Sequence, residues 1–278
     1  MYEYVCRGVM VFELLINPKE AEAKPVEMFF YGLVITSVSL FTAYYIFPSS
    51  SSIIFLFFVT IATLPTVRAI LLEDEEFDEE RERIDLSFFE HHERTIMVYA
   101  YFFFGVLISV SFWYTVLPDS YGSVLFSQQI STITSIRMSG AATESMMSFW
   151  MILSNNLKVT TIAFLLSFFF GTGAIFILSW NASVIGVFVS NLAKDFSAKY
   201  SYSLIQGHLD ALLSIAIHGI PEIAAYFIAG IAGGILSFGM IRGRQDIRIA
   251  KDAVALYLLS ALILLFAAVL EVWVTPNL

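Results

Sequence analysis

Ile217-His218-Gly219-Ile220-Pro221-Glu222-Ile223 is a polar knot inside an otherwise apolar run, residues 209–240. As one uninterrupted helix that run would measure about 48 Å at ~1.5 Å per residue, against a hydrocarbon core of ~30 Å. Gly219 and Pro221 offer a break, because proline lacks a backbone donor and its ring clashes with the preceding turn. The sequence therefore predicts two apolar pieces, residues 209–217 and 223–240, on either side of the knot. A histidine and a glutamate facing lipid would be costly, so the protein interior has to accommodate both.

The rest of the chain places that knot in a membrane. Of 278 residues, 58% are hydrophobic and 14% charged, where soluble domains run at about 45–50% and about 25%. The apolar residues come in blocks of about 20, the length of a membrane-spanning helix. The fold class is all-α: a polytopic transmembrane helical bundle of about seven crossings, with broken or short helices in the C-terminal half and amphipathic interfacial helices. Residues 1–25 read as an interfacial amphipathic segment with no secretory leader, so the first span is expected to serve as the membrane address. Residues 26–117 hold three spans, expected at 26–47, 53–72 and 95–117, with an acidic cytoplasmic loop at 73–94. Residues 118–156 lack a long apolar block and read as an extracytoplasmic amphipathic segment. Residues 157–278 form the C-terminal core. There a fourth span is expected at 158–179, an interruption at Trp180-Asn181-Ala182-Ser183, a short crossing at 184–193 and a final span at 254–273.

Lysine and arginine set the orientation, since they favour the cytoplasmic side. Arg7, Lys19 and Lys24, then Arg68, Arg81, Arg83 and Arg94, then Arg242, Arg244, Arg248 and Lys251 fall on one side if the N-terminus is cytoplasmic and the C-terminus extracytoplasmic. The net charge of −9 argues against a nucleic-acid surface. The single cysteine, Cys6, excludes an internal disulfide and a cysteine-based zinc cluster.

Candidate chemistry is sparse. His218 and Glu222 form either a structural pair, with Glu222 capping the first turn after Pro221, or a proton- or ion-handling pair in an internal cavity. Glu271, near the end of the last span, falls at the same membrane level and could join them. Asn181 is a further polar candidate, and Asn156 and Asn181 each suit a span terminus. Gly230, Gly233 and Gly234, with Gly171 and Gly173 in the fourth span, suit close helix packing or dimerisation. His91-His92 cannot form a metal site alone, because adjacent residues on a helix point about 100° apart. No phosphate-binding loop, dinucleotide glycine pattern, zinc-protease motif or nucleophile elbow occurs. No catalytic residue, metal or cofactor is expected.

Asn155-Asn156, Gly171-Thr172-Gly173, Trp180 to Gly186, His218 to Glu222, the glycines from Gly230 to Gly234, and Ala267-Ala268 to Glu271 with Thr275-Pro276 follow one another in register. Over this stretch the chain resembles the stage II sporulation protein M family of integral membrane proteins. Leu14-Leu15-Ile16-Asn17-Pro18 and Phe126-Ser127-Gln128-Gln129 resemble an archaeal branch, which has no spore to build. Asn181-Ala182 departs from the Asn-Gly of many relatives. The resemblance implies a non-enzymatic membrane scaffold, which in spore formers serves an engulfment complex containing cell-wall hydrolases. It defines no catalytic residues. The expected function is thus a self-associating scaffold or assembly component, contacting partners through residues 119–155 and the acidic segment. The alternative is a small channel or transporter using His218, Glu222, Asn181 and Glu271. Expected partners are membrane lipids, a second copy of the chain as a dimer, and other membrane proteins, with no nucleic acid.

Single cysteines introduced at Ser120 and Leu278 should both react with a membrane-impermeant thiol reagent in intact cells, in a background lacking Cys6. Protection of either position until the membrane is opened would invert or break the assigned topology.

Overall fold

The computed structural model describes residues 24–79, 88–140, 145–241 and 247–273. The N-terminal segment with Cys6, the middle of the acidic loop, Arg242 and Arg244, and Thr275-Pro276 lie outside the described residues. Every described element is helical. Among the described residues seven helices are long and apolar enough to cross a membrane, so the class and number of spans are those read from sequence, while several boundaries are not.

The first helix, α1 (Val26–Ile46), begins after Pro25, and Glu27 in its first turn pairs with Lys24 at 3.7 Å. A short 3-10 turn (Pro48–Ser50) leads into α2 (Ser51–Glu79), which carries Pro65 internally. The Tyr31 hydroxyl donates to the Ala62 carbonyl at 2.7 Å, close to the turn that Pro65 loosens. α3 (Phe88–Val116) runs parallel to α1 at very short range. A Cβ at Gly105 would sit 2.2 Å from the Phe29 carbonyl, and one at Gly32 would sit 2.7 Å from that of Phe102. This mutual pair of glycines lets two backbones touch. Ser37 and Ser109 (3.0 Å) and the Trp113 indole N–H on Ser37 (2.9 Å) extend the same seam.

Two short helices follow, α4 (Asp119–Leu125) and α5 (Ser127–Gly140). Sequence periodicity suggests a surface-lying segment with Val124, Ile130, Ile133 and Ile136 on one side. Instead Leu125, Phe126, Gln129 and Ile133 are buried, whereas Val124 and Ile136 are exposed. The Phe126 ring packs edge-on against Tyr114 and Phe55, and the Gln129 amide donates to the Ser52 carbonyl and to Ser183, both at 3.1 Å. The segment is therefore seated into the bundle, not merely laid upon it.

The C-terminal half departs most from expectation. α6 (Ser145–Phe170) includes Met146 to Asn156, which were expected in the preceding amphipathic segment. The chain reverses at Gly171-Thr172-Gly173, where Gly171 has φ 74°, a conformation costly for any side chain. A Cβ at Gly173 would meet the Leu166 carbonyl at 2.3 Å, and Ser167 Oγ accepts the Ala174 N–H at 3.0 Å. α7 (Ala174–Tyr200) then runs straight through the expected interruption. Asn181 fits because its side-chain amide donates to the Ile177 carbonyl of its own helix at 2.7 Å. Ser183 likewise bonds back, to Trp180. The turn after α7 has Ser201 at φ 57°. It is pinned by Tyr202, whose hydroxyl donates to Asp210 at 2.6 Å; that carboxylate raises the phenol to about 12.

The decisive correction concerns the opening knot. α8 (Leu204–Ile241) is one helix of 38 residues with Pro221 inside it, and α9 (Ile247–Trp273) closes the chain. A break would leave several backbone groups unpaired in hydrocarbon, whereas an internal proline leaves one carbonyl without its donor. At its N-terminal end α8 meets α3 and α7, through His208 on Thr115 (3.1 Å) and through Gly207 beneath the Ala193 carbonyl. Further along, Phe227 stacks on Tyr99 (6.1 Å) and Gly233 lies against the Phe164 carbonyl of α6. Glu222 thus stands in mid-helix and does not cap a first turn.

Gly233 and Gly219 should separate these effects. Gly233→Ala would force a Cβ to within 2.2 Å of the Phe164 carbonyl and should lower stability by about 1–3 kcal/mol. Gly219 has nothing within 4 Å of an added Cβ, so Gly219→Ala should be neutral or stabilising by up to ~1 kcal/mol through helix propensity. Unfolding in detergent micelles measures both, and a large loss for Gly219→Ala would contradict a continuous α8.

Candidate functional site

Four polar side chains from three helices converge where α6, α8 and α9 meet. On α8, Glu222 and Tyr226 are four residues apart and share a face. On α6, Asn156 sits between them. Its amide nitrogen donates to Glu222 Oε1 at 2.5 Å, and its carbonyl oxygen accepts the Tyr226 hydroxyl at 2.8 Å. Glu271 from α9 is the fourth, its side chain near those of Glu222 and Tyr226. Asn156 is 7% and Tyr226 4% exposed, while Glu222 and Glu271 are partly buried. A further bond, between Thr161 and Tyr257 at 2.6 Å, joins α6 to α9 alongside.

The continuity of α8 extends this face to His218. Had the helix ended at Pro221, His218, Glu222 and Tyr226 would not share one face. In a continuous helix they recur every four residues, so one stripe turns toward α6 and α9. His218 lies on that stripe and is half-buried.

The sequence-predicted candidates divide accordingly. Glu222 and Glu271 are brought together. His218 stands one turn from Glu222. Asn181 does not join them: it is on α7 and its amide is engaged by its own helix. Asn156 and Tyr226 are the members that sequence reasoning missed as site residues. Asn156 was assigned to a span terminus, but the helix begins at Ser145 and carries it inside. The four-residue spacing of Tyr226 from Glu222 was the available signal.

The glycine candidates are used within the protomer. Gly230 faces the Cβ of Ala174 at 2.7 Å, Gly233 faces the Phe164 carbonyl, and Gly173 faces that of Leu166. Gly171 makes the reversal between α6 and α7, and Gly234 is buried in α8. Together they press α8 onto the α6–α7 hairpin, close enough for Asn156 to reach between two residues of α8.

Chemically, two carboxyls, an amide and a phenol supply hydrogen bonds and a place for a proton. They do not supply an activated nucleophile with an adjacent base. A family model described as stage II sporulation protein M matches residues 98–276, a stretch that contains all four side chains and excludes α1 and α2. No curated protein matches the chain, and no solved structure does.

Asn156→Ala should remove two interhelical hydrogen bonds and lower stability by about 1–2 kcal/mol, the scale of such bonds in membranes. Asn181→Ala should change it by less than ~0.5 kcal/mol, since only a bond within one helix is lost. Unfolding of the purified protein in micelles gives both values, and equal losses would mean that Asn156 does not bridge the helices.

Proposed function

Because the chain belongs to the stage II sporulation protein M family, we propose that it is a non-enzymatic, multi-pass scaffold of the cell membrane that self-associates and holds partner membrane proteins. The observation that carries this reading is the hydrogen-bonded set of Glu222, Asn156 and Tyr226, with Glu271 near it, in which polar groups of different helices are spent on one another. A polar site that joins three helices fixes their relative positions, as a platform requires. A conduit would instead use His218, Glu222, Asn181 and Glu271 as one lining, and Asn181 is engaged elsewhere.

The glycines bear on how copies would meet. Gly230 and Gly233 face α6 and α7 of the same chain, so self-association falls to other surfaces. The acidic stretch continuing α2 and the outward side of α4 and α5, with Tyr121 and Val124 exposed, supply such surfaces. In this reading the N-terminus is cytoplasmic and the C-terminus extracytoplasmic, as the basic residues direct.

Purified protein should have a mass, corrected for detergent, larger than the 31.2 kDa of one chain. In liposomes it should give no ion flux above that of empty vesicles. Flux that disappears in a folded Glu222→Gln variant would overturn the scaffold reading, and a monomeric mass at all concentrations would remove self-association from it.

A further inference from the structure

Gln129 is fully buried where α5 meets α2 and α7, and both hydrogens of its amide are spent. One goes to the Ser52 carbonyl and the other to Ser183 Oγ, each at 3.1 Å. A main-chain carbonyl only accepts, so the nitrogen must face Ser52 and the orientation of the amide is fixed. Its oxygen, Oε1, is a buried acceptor to which no group among the described residues donates. The neighbouring hydroxyls are committed elsewhere. Ser183 gives its hydrogen to the Trp180 carbonyl at 2.7 Å, and Ser127 gives its own to Ser52 Oγ at 3.1 Å.

One hydroxyl on the same face of α7 is not committed. Ser179 stands one turn before Ser183 and is 1% exposed, and its Oγ finds no partner among the described residues. A helical serine can return its hydrogen to the carbonyl four residues earlier, as Ser190 does with Gly186 at 3.0 Å. An acceptor without a donor and a donor without an acceptor thus belong to the same polar stripe. Residues four apart on a helix are about 5–6 Å apart, the span that one water covers with two hydrogen bonds of ~2.8 Å. Buried waters settle where polar groups would otherwise go unpaired.

We propose that Gln129 Oε1 and Ser179 Oγ hold one water molecule inside the bundle, where α5 is seated against α7. The water donates to Oε1 and accepts from Ser179. One acceptor beside one donor suits a ligand that is both; a metal cation calls for acceptors alone, and an anion for donors alone. With the water in place, the polar set of Ser52, Ser127, Gln129 and Ser183 is complete, and α5 is tied to α2 and α7 through it. The site is separate from the group on α6, α8 and α9, so its failure would leave the scaffold reading untouched.

Stability of the full-length protein in detergent micelles tests the site by sign. Ser179→Ala should lower the folding equilibrium constant about 3- to 10-fold, the range of interhelical hydrogen bonds in membranes. In a Gln129→Met background the same change should have no effect, because the water has already lost its acceptor. A neutral or stabilising Ser179→Ala would reveal a hydroxyl with nothing to lose and overturn the proposal. Equal losses in the two backgrounds would mean that the residues share no ligand, and would overturn it too. Should Gln129→Met fail to fold, water-edited solid-state NMR of the full chain in lipid vesicles takes the place of that cycle. The Gln129 side-chain carbonyl should receive magnetisation from water in wild type, and more weakly in Ser179→Ala. Absence of transfer in wild type, or transfer unchanged in Ser179→Ala, removes the water from this place.

Discussion

Within hydrocarbon the backbone's polar groups must find partners inside the protein, and this constraint governs the C-terminal half of the chain. It explains why α8 does not break at Gly219 and Pro221, although both residues invite a break. Ending the helix there would strand a set of amides and carbonyls, a greater penalty than the single bond that proline forfeits. It also accords with the placing of Glu222 beside Asn156 and near Glu271. The same rule operates on α7, where Asn181 turns its amide onto its own helix, and in the first bundle, where Tyr31 serves a carbonyl near Pro65.

The architecture was legible in the sequence to the extent that length and hydropathy encode it. Apolar blocks of membrane-spanning length identified seven crossings, and the common membrane level of Glu222 and Glu271 anticipated their meeting. What sequence could not supply was the choice between competing breakers. Gly171-Thr172-Gly173, Trp180-Asn181-Ala182-Ser183 and Gly219-Ile220-Pro221 each have the composition of a break, yet only the first is one. The difference lies in packing. Gly173 must lie against the Leu166 carbonyl to let α6 and α7 fold back on each other, whereas Gly219 touches nothing. A local sequence does not report what will be pressed against it. The misplacement of Asn156 followed from the same error, since an interruption assigned too late in the chain shifted the start of α6.

Small residues and polar residues therefore divide the labour of assembly. Gly32 with Gly105, and Gly230 and Gly233 with the α6–α7 hairpin, set how closely helices approach. The hydrogen-bonded side chains set their register: Ser111 on Ser190 between α3 and α7, Thr161 on Tyr257 between α6 and α9, and Asn156 between Glu222 and Tyr226. Approach without register would permit sliding, because van der Waals packing along a smooth apolar helix discriminates poorly between neighbouring positions. The family relationship covers the part of the chain in which both devices are concentrated.

Pro221 has a mechanical meaning in this setting. A proline is where a long helix bends most readily, and in α8 it stands directly before Glu222. The residue fastened to α6 is thus the neighbour of the weakest joint. Glu222 and Tyr226 both lie on the C-terminal side of Pro221, so Asn156 anchors one arm of α8 to α6, while Gly207 seats the other arm beneath the Ala193 carbonyl of α7. The proline therefore divides one rod into two arms, each with its own anchor.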